Sequence, residues 1–388
     1  MKTRASHLKR SPLAGLGTGG LLILMVLLVI LGVTGMAAAV QNKATVSIMT
    51  QNMDAGTDLG FVLAGLEMNN IPESVDLTLE EIIASDPPGR AALLAVQIAF
   101  KQPHILALQE ATLWRTGATP ETATETLYDQ LDLLLAALEK EGVPYDVLAV
   151  NHLTDLALPG TSDYALRFTD RDALLVRSDL RPPELHFSSI HANIFKAAFV
   201  FEGLQVSQGW ISADVHMRNR HFRLVVTHLE GPIPGIPEAA EVQVAQADEL
   251  IHRLRNVTVP VVLCGDFNSD ADFGTGPDAT DSVRHILEAG YADTWRLVHS
   301  SSDPGYTWPL FLEDQLPPPG FFDPFILPFE RIDLFFSRDI EVISAEQVLA
   351  PAPPGVMPPY GSDHTGVITT FRLEAPGKHG PSGTGHRR

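Results

Sequence analysis

Apolar residues in this chain recur mostly in short runs of period two, with a few longer stretches of period 3.6 between them. Ala44 to Thr50 alternates and is rich in β-formers, which predicts a first strand. His104 to Leu108 is a short apolar run and predicts a buried strand. Further strands are predicted at Tyr145–Val150, Ala173–Arg177, Trp210–Met217, Phe222–Thr227 and Val259–Cys264, and at the β-rich end over Arg331–Ser337, Ile340–Leu349 and Gly366–Leu373. Helical spacing runs from Leu77 to Phe100, broken by Asp86-Pro87-Pro88. A second helix is predicted over Glu121 to Glu141, where Leu127, Leu131, Leu134, Leu135 and Leu138 share a face and Gly142 and Pro144 end it. Two more cover Pro237 to Arg255 and Ser282 to Ala289. Many strands with interspersed helices predict an α/β protein whose sheets are covered by helices.

The two ends depart from this pattern. Residues 1–10 carry Lys2, Arg4, Lys9 and Arg10, Leu21 to Leu31 is unbroken apolar sequence, and Ala37-Ala38-Ala39 follows. A basic start, an apolar middle and small residues at an A-x-A site predict a secretory signal peptide over 1–39, cleaved after Ala39. The uncharged stretch also has the length of a membrane anchor, which takes about 20 residues. Either way residues 40–373 lie outside the cytoplasm. Residues 374–388 are Gly, Pro and polar residues without periodicity, the composition of a disordered tail.

At 388 residues, 45% hydrophobic and 19% charged, the chain has ample material for a large core. The segments described next run from near residue 46 to near residue 371, which favours one large domain and a monomer. Cys264 is the one cysteine, so no intrachain disulfide can form; in its Val-Val-Leu-Cys run it reads as a small core hydrophobe. Net charge is -20, and the four basic residues before position 40 leave -24 on the rest. Such a surface repels a phosphate backbone, since Lys and Arg contacts supply most nucleic-acid affinity. A small or lipid-borne phosphoester suits it better, although a bound metal can reverse the field locally.

Six segments share one form, an apolar strand ending in carboxylate, amide or histidine: TQNMD (50–54), ILALQE (105–110), LVVTHLEG (224–231), VVLCGDFNSD (261–270), RIDLFF (331–336) and GSDHTGVI (361–368). Each is a weak signal singly. As an ordered set they describe polar groups gathered at strand ends, the usual way to build a site on a rigid sheet.

In these segments the chain resembles the endonuclease/exonuclease/phosphatase family, which includes deoxyribonucleases, abasic-site endonucleases, inositol polyphosphate 5-phosphatases and neutral sphingomyelinases. The resemblance covers roughly residues 45–373; GDFN, THL, RID and SDH carry it, and Gln246 and Leu250 also look like the family's pattern. It implies a four-layer α/β/β/α sandwich of two mixed sheets flanked by helices, and metal-dependent hydrolysis of phosphoesters. It implies Glu110 as first metal ligand, for Mg²⁺ with Mn²⁺ or Ca²⁺ as alternatives, because such hard cations take oxygen donors. Asn52 supports metal or phosphate, Asp363 is a metal-side carboxylate, and Asp54 is either another ligand or a turn cap. Asp266 orients or deprotonates water, Asn268 holds a phosphoryl oxygen, and His364 faces the scissile phosphate. Asp333 fixes the His364 tautomer, because Asp363 points to the opposite face of an extended chain from its neighbour. His228 binds or protonates phosphate, or is a buried structural histidine.

Three features bear on substrate. Arg171 or Arg167 contacts phosphate, or else forms a surface ion pair. Thr307-Trp308 resembles the family's Ser/Thr-Trp near substrate, and a packed tryptophan is the alternative. The proline-rich stretch from Pro309 to Glu330 carries five phenylalanines and is either a loop folded on the domain or an apolar protrusion touching lipid. Trp114 and the Thr/Gly-rich residues up to Thr126 suggest another substrate-facing loop.

Overall fold

The computed structural model describes residues 44–57, 59–233, 236–272, 280–310, 329–348 and 360–373. The leader, the tail and the 311–328 part of the phenylalanine-rich stretch lie outside the described residues. The fold is that of the unit Thr45–Arg388. Among the described residues no helix is long and apolar enough to cross a membrane.

In chain order, β1 (Ala44–Asn52) leads through α1 (Gly60–Glu67), α2 (Ile71–Ala84) and α3 (Pro87–Lys101) into β2 (Ile105–Gln109). β3 (Leu113–Gly117), β4 (Glu125–Asp129) and α4 (Gln130–Lys140) precede the long hairpin of β5 (Tyr145–Pro159) and β6 (Ala165–Arg177). β7 (His186–Ile194), a small hairpin of β8 (Phe199–Phe201) and β9 (Leu204–Val206), β10 (Gly209–Met217) and β11 (Arg220–His228) follow. The chain continues through α5 (Pro237–Leu254), β12 (Val261–Asp266), α6 (Ser282–Glu288), β13 (Ala292–Asp293) and α7 (Thr294–Val298) to β14 (Asp333–Arg338), β15 (Glu341–Gln347) and β16 (Val367–Leu373).

These strands make two large mixed sheets flanked by helices, the predicted α/β sandwich. One runs β15-β16-β1-β2-β6-β3-β4 with β5 on the other side of β6; the second runs β13-β14-β12-β11-β10-β7. Alternation decides which residues each face buries. In the first sheet Leu106, Leu108, Ala173 and Leu175 pack outward against Leu94 and Ile98 of α3 and Leu131, Leu134 and Leu138 of α4. In the second, Val225, Val261, Leu263, Leu334 and Phe336 pack outward against Leu250 and Leu254 of α5 and Val283 and Ile286 of α6. The intervening residues Ala107, Leu174, Leu224, Val226, Val262 and Cys264 are fully buried and face the opposite way, between the sheets. Cys264 is therefore a core residue, as its strand context implies.

Most elements sit where the pattern predicts, and the exceptions have local causes. The Asp86-Pro87-Pro88 break is a helix start: Asp86 caps α3 by accepting the Gly89 amide at 3.2 Å, and proline is tolerated in a first turn. The predicted helix over 121–141 begins only at Gln130, because Asp129 caps it by accepting the Asp132 amide at 3.1 Å. Residues 125–129 are strand β4 instead, and Leu127 packs beside Trp114 and Phe168 rather than with the helix leucines. Trp114 is not on a substrate-facing loop: it lies in β3, 1% exposed, with its indole N–H donating to the Ala55 carbonyl at 2.9 Å.

Arg331 anchors the start of β14. Its side chain is 2% exposed and makes two bonds to Asp293, at 3.1 and 2.6 Å, while Asp293 also caps α7 through the Trp295 amide. Removing one partner of a buried pair leaves the other charge uncompensated. Arg331→Met is expected to destabilise the protein by about 3–5 kcal/mol in chemical denaturation.

Candidate active site

The polar residues at the strand ends converge because the two sheets present those ends on the same side. In the second sheet three neighbours stand in one row: His228 pairs with Asp266, and Asp266 with Asp333. In the first sheet Asn52 ends β1 opposite Gln109, and Glu110 follows it. One Asn52 amide nitrogen joins the sheets, donating to Glu110 Oε1 and to Asp266 Oδ2 at 2.9 Å each. Those two carboxylate oxygens are therefore no further apart than twice that length.

Backbone strain turns several of these groups into the cleft. Asp54, Glu110 and Asn268 adopt left-handed conformations, with φ of 60°, 52° and 47°. Non-glycine residues hold such geometry only where surrounding bonds impose it, at a cost of about 1–3 kcal/mol each. Asp54 is fixed by Arg90 at 3.0 Å and by the Gly56 amide at 2.6 Å. Glu110 Oε2 accepts the Ala55 amide at 2.7 Å, and the Asn268 side chain donates to the Leu229 carbonyl at 3.0 Å. Gly265 is required by a close approach of the neighbouring strand. It lies inside β12 with φ 142°, where a Cβ would stand 1.8 Å from the Thr227 carbonyl oxygen.

The last segment is tied down from β1. Ser362 donates to the Asn52 carbonyl at 2.7 Å and accepts the His364 amide at 3.0 Å, while Gln51 donates to the His364 carbonyl at 3.2 Å. His364 Nδ1 meets Asp333 Oδ2 at 2.8 Å, as expected of Asp333, and its Nε2 lies 3.8 Å from Asp363 Oδ1. Trp308 donates its indole N–H to Asp363 at 3.1 Å and is half-buried, placing it at the edge of the site beside a carboxylate.

The two histidines are driven apart electrostatically. Burial alone would lower His364, but Asp333, Asp363 and Asp266 around it outweigh that and hold its pKa well above the ordinary 6.5. Burial pushes His228 down, with Asp266 opposing and the charge of His364 adding to the fall. His228 Nε2 lies 3.2 Å from the Asn268 amide nitrogen and 3.8 Å from Asp266, and its Nδ1 faces Asp172 at 3.9 Å. At neutral pH the cleft thus holds one imidazolium and one neutral imidazole, separated in the manner of acid and base partners.

Strand alternation corrects the expectation for Arg171. Its neighbours Asp170 and Asp172 face the cleft, so Arg171 faces away, 6% exposed, bonding the Ala111 and Thr112 carbonyls at 2.7 and 3.2 Å and pairing with Asp129. Arg167 pairs with Asp155 and is likewise committed elsewhere. The residues missed in the sequence are Asp170, Asp172 and Glu230. Asp172 faces His228 Nδ1 from beyond hydrogen-bond distance, and the signal for both aspartates is the D-x-D midway along β6, which sets them on one face of the strand. Burial and neighbouring carboxylates push Asp172 far up and Asp170 to about 8, and burial carries Glu230 to about 8. The helix residues Gln246 and Gln243 support this wall, bonding the Glu230 amide at 2.8 Å and its carbonyl at 2.7 Å.

Two groups in the cleft have the chemistry of a cation site. Asp266, Asp333 and His364 offer ligand atoms within 4.8 Å of one another, and a metal ion could sit there. Their closest atoms are already joined by the His364–Asp333 bond, which an ion would displace. Glu110, Asp54 and Asp363 lie close enough to repel one another and offer only oxygen donors, the type that Mg²⁺ prefers. Burial pushes Asp54 up and Asp363 to about 7, and repulsion among Asp54, Asp363 and Glu110 adds to both shifts. Unpartnered buried oxygens on Asp170, Asp172 and Asp333 point the same way. A divalent ion relieves such crowding, so the residues fit one.

A two-sheet α/β sandwich with carboxylates, amides and a split histidine pair across its strand ends defines a phosphoester-hydrolase type of protein. The chain belongs to the endonuclease/exonuclease/phosphatase family, whose model matches residues 49–364. That family comprises hydrolases of phosphoester bonds, typically metal-dependent. The fold is shared with an endonuclease/exonuclease/phosphatase from Beutenbergia cavernae at 19% identity and TM-score 0.53, covering 85% of this chain and 72% of that one. It is shared too with a family protein from Leptotrichia buccalis (15%, TM-score 0.50, 84% and 99%) and one from Bacteroides vulgatus (17%, TM-score 0.50, 86% and 100%). No curated protein matches the chain.

Two outcomes test this electrostatic arrangement. Asp333→Asn removes a charge that holds His364 up, so the alkaline limb of kcat/KM is expected to move down by about one to three pH units. Glu230 titrates near 8 folded against an ordinary 4.5, so between those values the folded state keeps a proton that the unfolded state has lost, and stability falls as pH rises. Glu230→Gln is therefore expected to stabilise the protein by about 1–3 kcal/mol at pH 8 and by little at pH 5, read from denaturation midpoints.

Proposed function

We propose that this chain is a divalent-metal-dependent phosphodiesterase acting outside the cytoplasm, on a small or lipid-borne phosphoester rather than on nucleic acid. The observation that carries the reaction class is the single Asn52 amide shared by Glu110 and Asp266, which brings the metal-type carboxylates and the His228–Asp266–Asp333–His364 row into one cleft. The address rests on the basic, apolar and small-residue order of residues 1–39, and the substrate preference on the net charge of -20.

Glu110, with Asn52, Asp54 and Asp363, would hold Mg²⁺, or Mn²⁺ or Ca²⁺, which when bound neutralises charge on the phosphoryl oxygens. Asn52 and Asn268 fix the groups that face those oxygens, Asn52 through Glu110 and Asp266 and Asn268 through His228. Asp266, held on both oxygens by the Asn268 backbone amide at 2.8 Å and by Asn52, orients water and takes its proton as the new P–O bond forms. The imidazolium of His364, fixed by Asp333 with Nε2 toward the cleft, gives its proton to the leaving oxygen as the old P–O bond breaks. Neutral His228 accepts a hydrogen bond from the Asn268 amide on Nε2 and so holds that side chain at the edge of the cleft. The products are a phosphomonoester and an alcohol, and solvent resets both protons.

Excess chelator, Glu110→Ala and His364→Ala are each expected to lower hydrolysis of bis(p-nitrophenyl) phosphate by at least about 10³-fold without loss of the folding transition. Full activity in either variant overturns the assignment. Metal binding without hydrolysis of any ester in a panel of DNA, RNA, sphingomyelin, phosphoinositide and simple esters makes the chain a non-catalytic binding member. Nucleic acid as the preferred member of that panel makes it a secreted nuclease.

A further inference from the structure

A cavity of ≈ 300 Å³ opens beside the catalytic row, with Glu110, His228 and Asn268 in its lining. Its walls are apolar: Val62 and Leu66 of α1, Leu156 of β5, Phe168 of β6, and Phe201 and Leu204 of the β8–β9 hairpin. No Lys or Arg lines it. Its charged lining residues are Glu110, Asp170 and Glu230, all acidic. The two wall elements also carry apolar side chains into solvent, Met68 at the end of α1 (70% exposed) and Val200 on the hairpin (60%).

Charge and continuity select the occupant. A second phosphate, as in a polynucleotide or a polyphosphorylated headgroup, would find no lysine or arginine among the lining residues to balance it. An aliphatic chain meets leucine, valine and phenylalanine and needs no hydrogen-bond partner. The aliphatic chain is best taken as part of the reacting molecule, because groups assigned to the phosphoester share the cavity's lining. Apolar pockets closed at one end by a few polar groups are the usual form of a small-ligand site.

We propose that this cavity seats the aliphatic chain of an amphiphilic phosphoester, making α1 and the β8–β9 hairpin the elements that set substrate specificity. The proposal rests on the phosphodiesterase reading and names its substrate class. The apolar walls reward every methylene that enters them, and the lining offers an anionic extension no cation.

The test is calorimetry of the full chain with Mg²⁺ against n-alkylphosphonates from methyl to decyl, kept below micelle formation, beside the bis(p-nitrophenyl) phosphate assay. Each added CH₂ is expected to tighten binding by about three- to fourfold until the cavity is full. Leu66→Trp, and independently Leu204→Gln on the hairpin, should flatten that dependence. Equal affinity for methyl and octyl phosphonate by an enzyme that still hydrolyses the diester overturns the cavity assignment and leaves the hydrolase standing. Tighter binding of a short oligonucleotide than of any alkylphosphonate also overturns it. Absence of diester hydrolysis, with chain-length dependence retained, removes the catalytic reading and keeps the apolar seat.

Discussion

Everything in this cleft answers to one constraint: carboxylates are crowded together out of water with too few cations to balance them. Asp54, Asp170, Asp172, Asp266 and Asp363 are all pushed up by burial, and each shift includes repulsion from another carboxylate. Isolated buried carboxylates neutralise themselves by taking up protons. Here the arrangement holds several oxygens without partners, so the folded protein is electrostatically incomplete and suited to a hard cation and to a substrate that carries one in. Arg90 supplies one fixed positive charge, on Asp54, and His364 a second, on Asp333.

The sandwich is what makes such crowding sustainable. The outward faces of both sheets are covered by helices and their inner faces pack on each other, so the strands cannot separate to relieve the repulsion. The unfavourable φ values of Asp54, Glu110 and Asn268 fall at the strand exits, where that rigid frame holds the backbone. Asn52 then bridges Glu110 and Asp266 across the gap between the sheets. The same frame gives the two histidines unlike surroundings: His364 lies against several carboxylates, whereas His228 is desolvated with an amide on Nε2. Chemistry that needs one charged and one neutral imidazole at a single pH follows from placement alone.

Beside this polar row the walls become apolar within a side chain's length, because α1 and the β8–β9 hairpin bring leucine, valine and phenylalanine to the edge of β5 and β6. The change from acidic floor to dry wall gives the cleft a polarity along its length. That polarity fits a molecule with one ionised and one oily end.

The sequence by itself determined the α/β class, the family, and most of the residues that meet in the cleft. Period-two runs ending in polar residues leave a local signature, and Asp333 is a better partner for His364 than Asp363 because adjacent residues on extended chain diverge. It did not determine Asp170, Asp172 and Glu230, nor exclude Arg171, because which face of β6 meets the second sheet depends on packing between segments far apart in the chain. Only the tertiary structure decided that β4 replaces the first turns of a helix, that Gly265 is needed for a close approach by β11, and that an apolar cavity adjoins the polar row. Alternation and turn chemistry are written in neighbouring residues, whereas contacts between sheets, and the fields they create, exist only once the chain has closed upon itself.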